Sequence, residues 1–255
     1  MTDRTTITID GRDLHYRRLG VEFEGTPLVF LHEGLGSIEL WRDFPSAVAT
    51  HAHRPALAFS RYGNGWSTPL ASPREADYMH TEALKTLPEV LAELVDRPPI
   101  LIGHSDGASI AIIYAGAGSP VRGLVLIAPH VFAEEEGLES IRAIRARFAG
   151  SDMAKRMAKY HVEPETTFYG WADAWLSPEF RSWNIEEYLP GVRCPTLVVQ
   201  GDDDEYGTLR QLDAIDDGLD VPSQRLIVSG AGHSPHLSDS DLVTGAVVDF
   251  LRDVE

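Results

Sequence analysis

Cysteine is almost absent. Cys194, followed by Pro195, is the only one in 255 residues. A lone cysteine forms no intramolecular disulfide, and a metal site built on several thiolates is excluded. At the start of a strand it reads as packing. Long hydrophobic runs are missing too. No stretch approaches the ~20 apolar residues of a membrane span. The opening "MTDRTTITIDGRDLHYRRLG" lacks the apolar core of a signal peptide. The expected location is cytoplasmic, with no membrane partner. Positive charge is scarce: 22 Lys+Arg face 39 Asp+Glu, a net charge of −17. That disfavours nucleic acid and anionic membranes, which are polyanions, and leaves a small-molecule substrate as the expected partner. There is no internal repeat, low-complexity tract, phosphate loop, dinucleotide fingerprint or metal cluster, so no cofactor is expected. Nothing in the sequence sets an oligomeric state.

What is present is a repeated alternation. Apolar residues make up 43% of the chain, enough for a substantial core. "TTITID" and "LHYRRLG" alternate around a Gly-Arg turn and predict an antiparallel hairpin. Then "PLVFLHEG", "RPALAFSRYGNG", "PPILIGHSDG", "VRGLVLIAPH", "CPTLVVQGDDD" and "QRLIVSGAGH" each run apolar and stop at glycine or a polar cluster. Continuous runs of this kind predict strands buried on both faces. Helical patterns separate several of them: "EADYMHTEALKTLPEVLAELV", "GASIAIIYAGAG" and the closing "DLVTGAVVDFLRDV". The expected fold class is α/β, a mostly parallel, doubly wound sheet. Ligands of such sheets bind at the carboxyl ends of the strands. From 132 to 190 the alternation breaks into several short helical patterns. This predicts a helical cap inserted in a core formed by 1–131 and 191–255. Trp171, Trp175 and Trp183 lie in that insertion, whereas Trp41 and Trp66 fall in earlier loops.

The strand ends carry the chemistry. "GHSDG" fits Gly-x-Ser-x-Gly between a strand and a small-residue helix, the context in which a nucleophile sits on a strained turn. Ser105 is the candidate nucleophile, and Gly103 and Gly107 supply the small neighbours the turn demands. Among ten histidines, His233 in "VSGAGHSPHL" is the candidate base, because it directly follows the last strand; His236 lies beyond Pro235. His104 is expected to face away and pack. His32 and His130 also end strands, as structural residues or pocket walls. In the nucleophile-elbow arrangement the orienting acid comes between Ser and His in the chain. "QGDDDEY" supplies it, with Asp204 selected by Gly-x-x-Asp spacing and Asp203 as the alternative. Oxyanion donors are expected from the backbone N–H groups of Asp106 and of Gly34 in "HEGLGS". The Asp106 side chain reads as a helix-terminus charge. Alternatively, it lies with Glu33 at the pocket and discriminates against anionic acyl groups. Glu33, His130, Trp171 and Trp175 are the candidate substrate-binding residues, although aromatic stripes most often serve packing.

"FLHEGLGS", "GHSDG", "QGDDDEY" and "GAGHSPH", in this order and each after a strand, make the chain resemble the α/β-hydrolase superfamily along essentially its whole length. "SRYGNGWS" matches the Gly-x-Gly-x-Ser type of loop seen in many members. The combination "HEGLGS…WRDFP", "GHSDG" and "WNIEEYLP" is similar to a bacterial subgroup of hydrolases. Glu33 and Asp106 depart from the usual pattern. Most members have His-Gly-Gly or His-Gly-x in the first loop, and Met, Gln, Leu or Gly after the serine. The resemblance implies a serine esterase with a catalytic triad, an oxyanion hole and no cofactor. The expected reaction is cleavage of a carboxylic ester or thioester through an acyl-enzyme on Ser105. Lactonase, amidase or carbon–carbon bond hydrolase activity would use the same residues. A non-catalytic ligand-binding protein on the same fold is the alternative from another class.

Overall fold

The structure is a computed structural model and describes residues 4–254. An eight-stranded sheet runs through it in the order β1-β2-β4-β3-β5-β6-β7-β8. The strands are β1 (Thr6–Ile9), β2 (Arg12–Leu19), β3 (Leu28–Leu31), β4 (Ala56–Phe59), β5 (Ile100–His104), β6 (Gly123–Ile127), β7 (Thr196–Gly201) and β8 (Ser223–Val228). β1 and β2 form the antiparallel hairpin expected from their alternation, and β2 runs antiparallel to β4. All other pairs are parallel. The α/β fold class expected from the sequence is the one observed.

Side-chain alternation divides the core into two. Val29 and Leu31 of β3, Leu101 of β5 and Leu124 and Leu126 of β6 face one helical layer. Leu28, Phe30, Ile100, Ile102, Val125 and Ile127 face the other. Both faces of these strands are covered, so the runs need no polar positions. β8 departs from that expectation. It is the outer strand, half of it lies open to solvent and Ile227 is exposed. Its apolar run is packed on one side only.

Among the described residues there are ten α-helices. α1 (Phe44–Ala52) and α10 (Ser240–Arg252) cover the second face. α2 (Tyr78–Thr81) passes through a π-helical turn, Glu82–Thr86, into α3 (Leu87–Leu94). The wider turn just before Pro88 is how the helix accommodates a residue that cannot donate and would crowd the preceding turn. α4 (Asp106–Gly116) is apolar or small nearly all round and buried along almost its whole length, as expected of a helix covered on every side. Between β6 and β7 lie α5 (Glu135–Phe148), α6 (Met153–Met157), α7 (Pro164–Trp175) and two 3-10 turns, Glu179–Ser182 and Glu186–Gly191. The region is not wholly helical, because an isolated bridge joins Phe132 to Asn184. α8 (Arg210–Gly218) precedes β8, and the short α9 (Pro235–Ser238) leads into α10. No helix among the described residues is long and apolar enough to cross a membrane.

Candidate active site

β5 ends at His104 and α4 begins at Asp106, so Ser105 alone makes the turn, with φ 52° and ψ −119°. A non-glycine residue with positive φ stores strain of order 1–3 kcal/mol and persists only where its surroundings fix it. Here the fixing is tight. The Ser105 N–H donates to the Ile127 carbonyl at 2.9 Å. A Cβ on Gly107 would overlap the Leu31 carbonyl, and one on Gly103 would overlap the Gly107 backbone. The glycines flanking Ser105 are therefore required by close backbone approach.

Ser105 opens into a cavity of about 150 Å³ lined by Glu33, Gly34, Leu35, His130, Ile141, Trp171, Trp175, Tyr206 and His233. His233 thus meets Ser105 at one cavity. Its Nδ1 donates to both carboxylate oxygens of Asp204, each at 2.9 Å. That leaves Nε2 as the ring's unprotonated nitrogen in the neutral form. Asp204 is held from behind by the Tyr206 N–H (2.8 Å), the Gly207 N–H (3.3 Å) and Gln200 Nε2 (2.9 Å). Burial would raise the Asp204 carboxyl, but the hydrogen bond and charge of His233, with the Tyr206 N–H, outweigh it and hold the carboxyl below its usual range. The other acids of the run turn elsewhere. Asp202 caps the Gly230 N–H, Glu205 accepts from the His233 backbone N–H, and Asp203 is exposed.

The loop after β3 borders the same cavity. The N–H groups of Gly34 and Asp106 have no protein acceptor among the described residues. A Cβ on Gly34 would run into the Trp171 indole. Glu33 is half-buried at the cavity wall. Burial would raise its carboxyl, yet the hydrogen bond and charge of His104 and the charge of His32 outweigh it and lower the carboxyl to about 2. His130 is a cavity wall, buried and lowered to about 3 chiefly by burial, so it stays neutral. Trp171 and Trp175 line the cavity; Trp183 stacks on Phe180 instead, with ring centroids 5.1 Å apart.

Two side chains have partners that the sequence did not suggest. Asp106 stands in the first turn of α4, as expected, but does not line the cavity with Glu33. It is fully buried, accepts a hydrogen bond from Tyr78 Oη and pairs with Arg61 Nη2 at 3.6 Å. Trp175 Nε1 in turn donates to Tyr78 Oη at 2.9 Å. The adjacent Asp106 oxygen raises the Tyr78 phenol still further than burial alone does, so it remains a donor. His104 packs outside the cavity lining, as expected, with its ring centroid 6.1 Å from that of Trp41 and 4.6 Å from that of His236, and it also donates from Nε2 to the His233 carbonyl at 2.8 Å. Leu35, Ile141 and Tyr206 were not singled out in the sequence. Tyr206 could have been, since it stands two residues after Asp204. The open groove of about 1180 Å³ between Phe23, Glu24 and Glu93–Arg97 lies at the opposite ends of the strands and holds no comparable Ser, His and Asp group.

The sequence model of the alpha/beta hydrolase family matches residues 28–246. The chain is 27% identical over 262 residues to serine hydrolase BPHL of Mus musculus, covering 96% of this chain and 85% of that protein. It is 28% identical over 207 residues to N-formylmaleamate deformylase of Pseudomonas putida, covering 74% and 75%. The enol-lactonase of Burkholderia xenovorans LB400 superposes with a TM-score of 0.77 at 17% identity, over 97% of this chain and all of that one. The family match takes in every parallel strand and the elbow between them. This chain belongs to the alpha/beta hydrolase family and has the hydrolase character of its relatives.

Proposed function

We propose that the protein is a serine hydrolase that cleaves small carboxylic esters or thioesters through an acyl-enzyme. The observation that carries this is Ser105 on a strained elbow, opening into one cavity with a histidine whose other nitrogen is held by a buried carboxylate.

His233 Nε2 takes the Ser105 proton as Oγ attacks the acyl carbon. The carbonyl oxygen becomes an oxyanion facing the Gly34 and Asp106 N–H groups, the latter at the positive end of α4. Collapse breaks the bond to the leaving alcohol or thiol, which receives the proton from His233. Water, deprotonated by the same nitrogen, then attacks the acyl-enzyme and releases the acid. Asp204 keeps the proton on Nδ1 and stabilises the imidazolium without itself being protonated.

The cavity supports a short acyl group. Its volume falls below the roughly 300–1,000 Å³ of drug-sized ligand pockets, and its walls are aromatic or aliphatic apart from Glu33, Gly34, Ser105 and the histidines. The residues between β6 and β7 act on this reading as a cap, because Ile141, Trp171 and Trp175 close one side. The reaction needs no cofactor, and the cytoplasm remains the compartment of this reading.

A hydrolysis screen tests it, using p-nitrophenyl esters from acetate to octanoate, acyl-thioesters, lactones and amides, with Ser105→Ala as control. Activity should peak at short linear acyl chains and vanish in Ser105→Ala. Turnover of lactones or amides alone would replace the ester reading. Wild type and Ser105→Ala equally inert to substrates and to a fluorophosphonate probe would leave a binding protein.

A further inference from the structure

Arg61 and Asp106 form an ion pair whose side chains are 2% and 1% exposed. Removing two charges from water costs several kcal/mol each, and an apolar pair of similar volume is often as stable or more so. The pair is also imperfectly satisfied. Arg61 Nε and Nη1 and Asp106 Oδ1 are buried with no protein hydrogen-bond partner among the described residues. Stability alone therefore does not account for the pair. Its contacts point elsewhere.

Arg61 Nη2, the nitrogen that faces Asp106, also donates to the Glu33 carbonyl at 2.9 Å. The Arg61 backbone N–H donates to His32 Nε2 at 3.0 Å. This fixes the tautomer of His32, so its Nδ1 carries the proton and donates to the same Glu33 carbonyl at 2.6 Å. Two of the three donors on that carbonyl are therefore set by Arg61; the third, the Gly36 N–H at 3.0 Å, closes the loop's own turn. In a trans peptide the C=O and N–H point in opposite directions. Anchoring the Glu33 oxygen on the Arg61 side turns the Gly34 N–H away from it. The Gly34 carbonyl is tied separately, by Asn64 Nδ2 at 3.0 Å. At the other end of the pair, Asp106 bears the second expected oxyanion donor on its own backbone. One guanidinium thus joins the two chain segments whose N–H groups must converge on a single oxygen.

We propose that Arg61 is a positioning residue for the oxyanion site, fixing the Gly34 and Asp106 N–H groups relative to each other through its shared contacts with the Glu33 carbonyl and the Asp106 carboxylate. Neither charged group touches substrate. The inference rests on the serine-hydrolase reading above. It explains why an acid follows the serine: the carboxylate anchors the guanidinium and the N–H does the binding. Arg61 lies 28 positions after Glu33 and 45 before Asp106 in the chain, so only the parallel order β4-β3-β5 brings the three together.

The test uses Arg61→Lys, which keeps the charge but loses the fork, and Asp106→Asn, which keeps shape and an acceptor but loses the charge. Fluorophosphonate labelling taken to completion counts folded sites, and kcat is expressed per labelled serine. One oxyanion donor is worth ~10²–10³ in rate, so loosening both should lower kcat about 10- to 100-fold with KM within about twofold. Affinity for an aryl trifluoromethyl ketone should fall by the same factor. The ketone's hemiketal, followed by ¹⁹F NMR, should ionise at higher pH. A lower melting temperature with unchanged kcat per labelled serine and unchanged ketone affinity would overturn the proposal. If Arg61→Lys does not fold, Asp106→Asn decides the question by the same measurements. A wild type that neither labels nor turns over would overturn the hydrolase reading itself, an outcome distinguishable from failure in the variants alone.

Discussion

The ring of His104 donates to the backbone carbonyl of His233 at 2.8 Å, tying the residue before the proposed nucleophile to the backbone of the proposed base. The other ring nitrogen faces Glu33 Oε2 at 3.6 Å. Because Nε2 must carry a proton to donate, Nδ1 offers one to Glu33 only when His104 is an imidazolium. The contact spans 129 positions of sequence and joins the β5 and β8 ends of the sheet.

His104→Phe keeps a ring but removes the donor. With the His233 backbone released, kcat on p-nitrophenyl acetate should fall about 10- to 100-fold, the cost expected of a displacement near 1 Å. Steady-state kinetics on probe-titrated protein measure this. An unchanged kcat would reduce His104 to packing.

Asp204→Asn should leave a folded protein with kcat lowered by ~10³–10⁴, a loss of the size found when a triad acid becomes an amide and the histidine adopts the wrong tautomer. The Tyr206 and Gly207 N–H groups that now face a carboxylate oxygen would still accommodate the amide oxygen. Asp203→Asn should retain near wild-type turnover. The opposite ranking would transfer the role to Asp203.

Glu33 carries a carboxyl held at about 2 at the wall of the cavity, so it is ionised throughout the working range. It should disfavour anionic acyl groups. At an effective dielectric near 20, like charges a few ångströms apart repel by roughly 1–3 kcal/mol after screening. Glu33→Gln should therefore raise kcat/KM for a hemisuccinate ester relative to a butyrate ester about tenfold or more. In wild type that preference should be flat between pH 5 and pH 9. Equal preference in the two proteins would remove the charge from substrate selection.

Acid should destabilise the fold early. His32 and His236 are pushed well below the usual histidine value, and His130 to about 3, mainly by burial. The unfolded chain binds these protons near 6.5, whereas the folded one resists them. Stability is then complete above about pH 6.5 and falls as pH drops below it, by roughly 1.4 kcal/mol per pH unit for each such residue. His236 lies against Trp41 and Phe44, with ring centroids 5.1 and 5.2 Å away. His236→Leu should reduce the slope of stability against pH by about one proton. Urea unfolding at intervals from pH 7.5 to pH 5 gives both slopes, and identical slopes would refute the assignment.

The strands were legible because runs such as "LVFL" and "ILIGH" have apolar residues on both faces, and the glycine ending several of them marks where the chain turns. β8 misled in burial, since an apolar run does not say whether a neighbour covers its second face. The convergence of Ser105, Asp204 and His233 could be anticipated because each follows a strand, and strand ends converge. The Asp106 side chain could not be read. Its partners Arg61 and Tyr78 come from other segments, and no local pattern reports a buried ion pair. The hydrogen bond of His104 is hidden for the same reason: its packing off the cavity is local, while its acceptor belongs to a loop 129 residues later.

β6 and β7 are hydrogen-bonded neighbours, although Ile127 and Thr196 are separated by a long excursion of the chain. Loop-closure entropy grows only logarithmically, so doubling that excursion would cost about 0.6 kcal/mol. The closure cost is thus nearly indifferent to the length of this segment, but the core is not indifferent to its packing: Trp171, Trp175, Phe180 and Leu189 share one buried cluster with Leu101, Leu124 and the apolar residues of α4. Segments of other lengths could be grafted there to recut the cavity, provided they restore the apolar cover that these side chains give to α4.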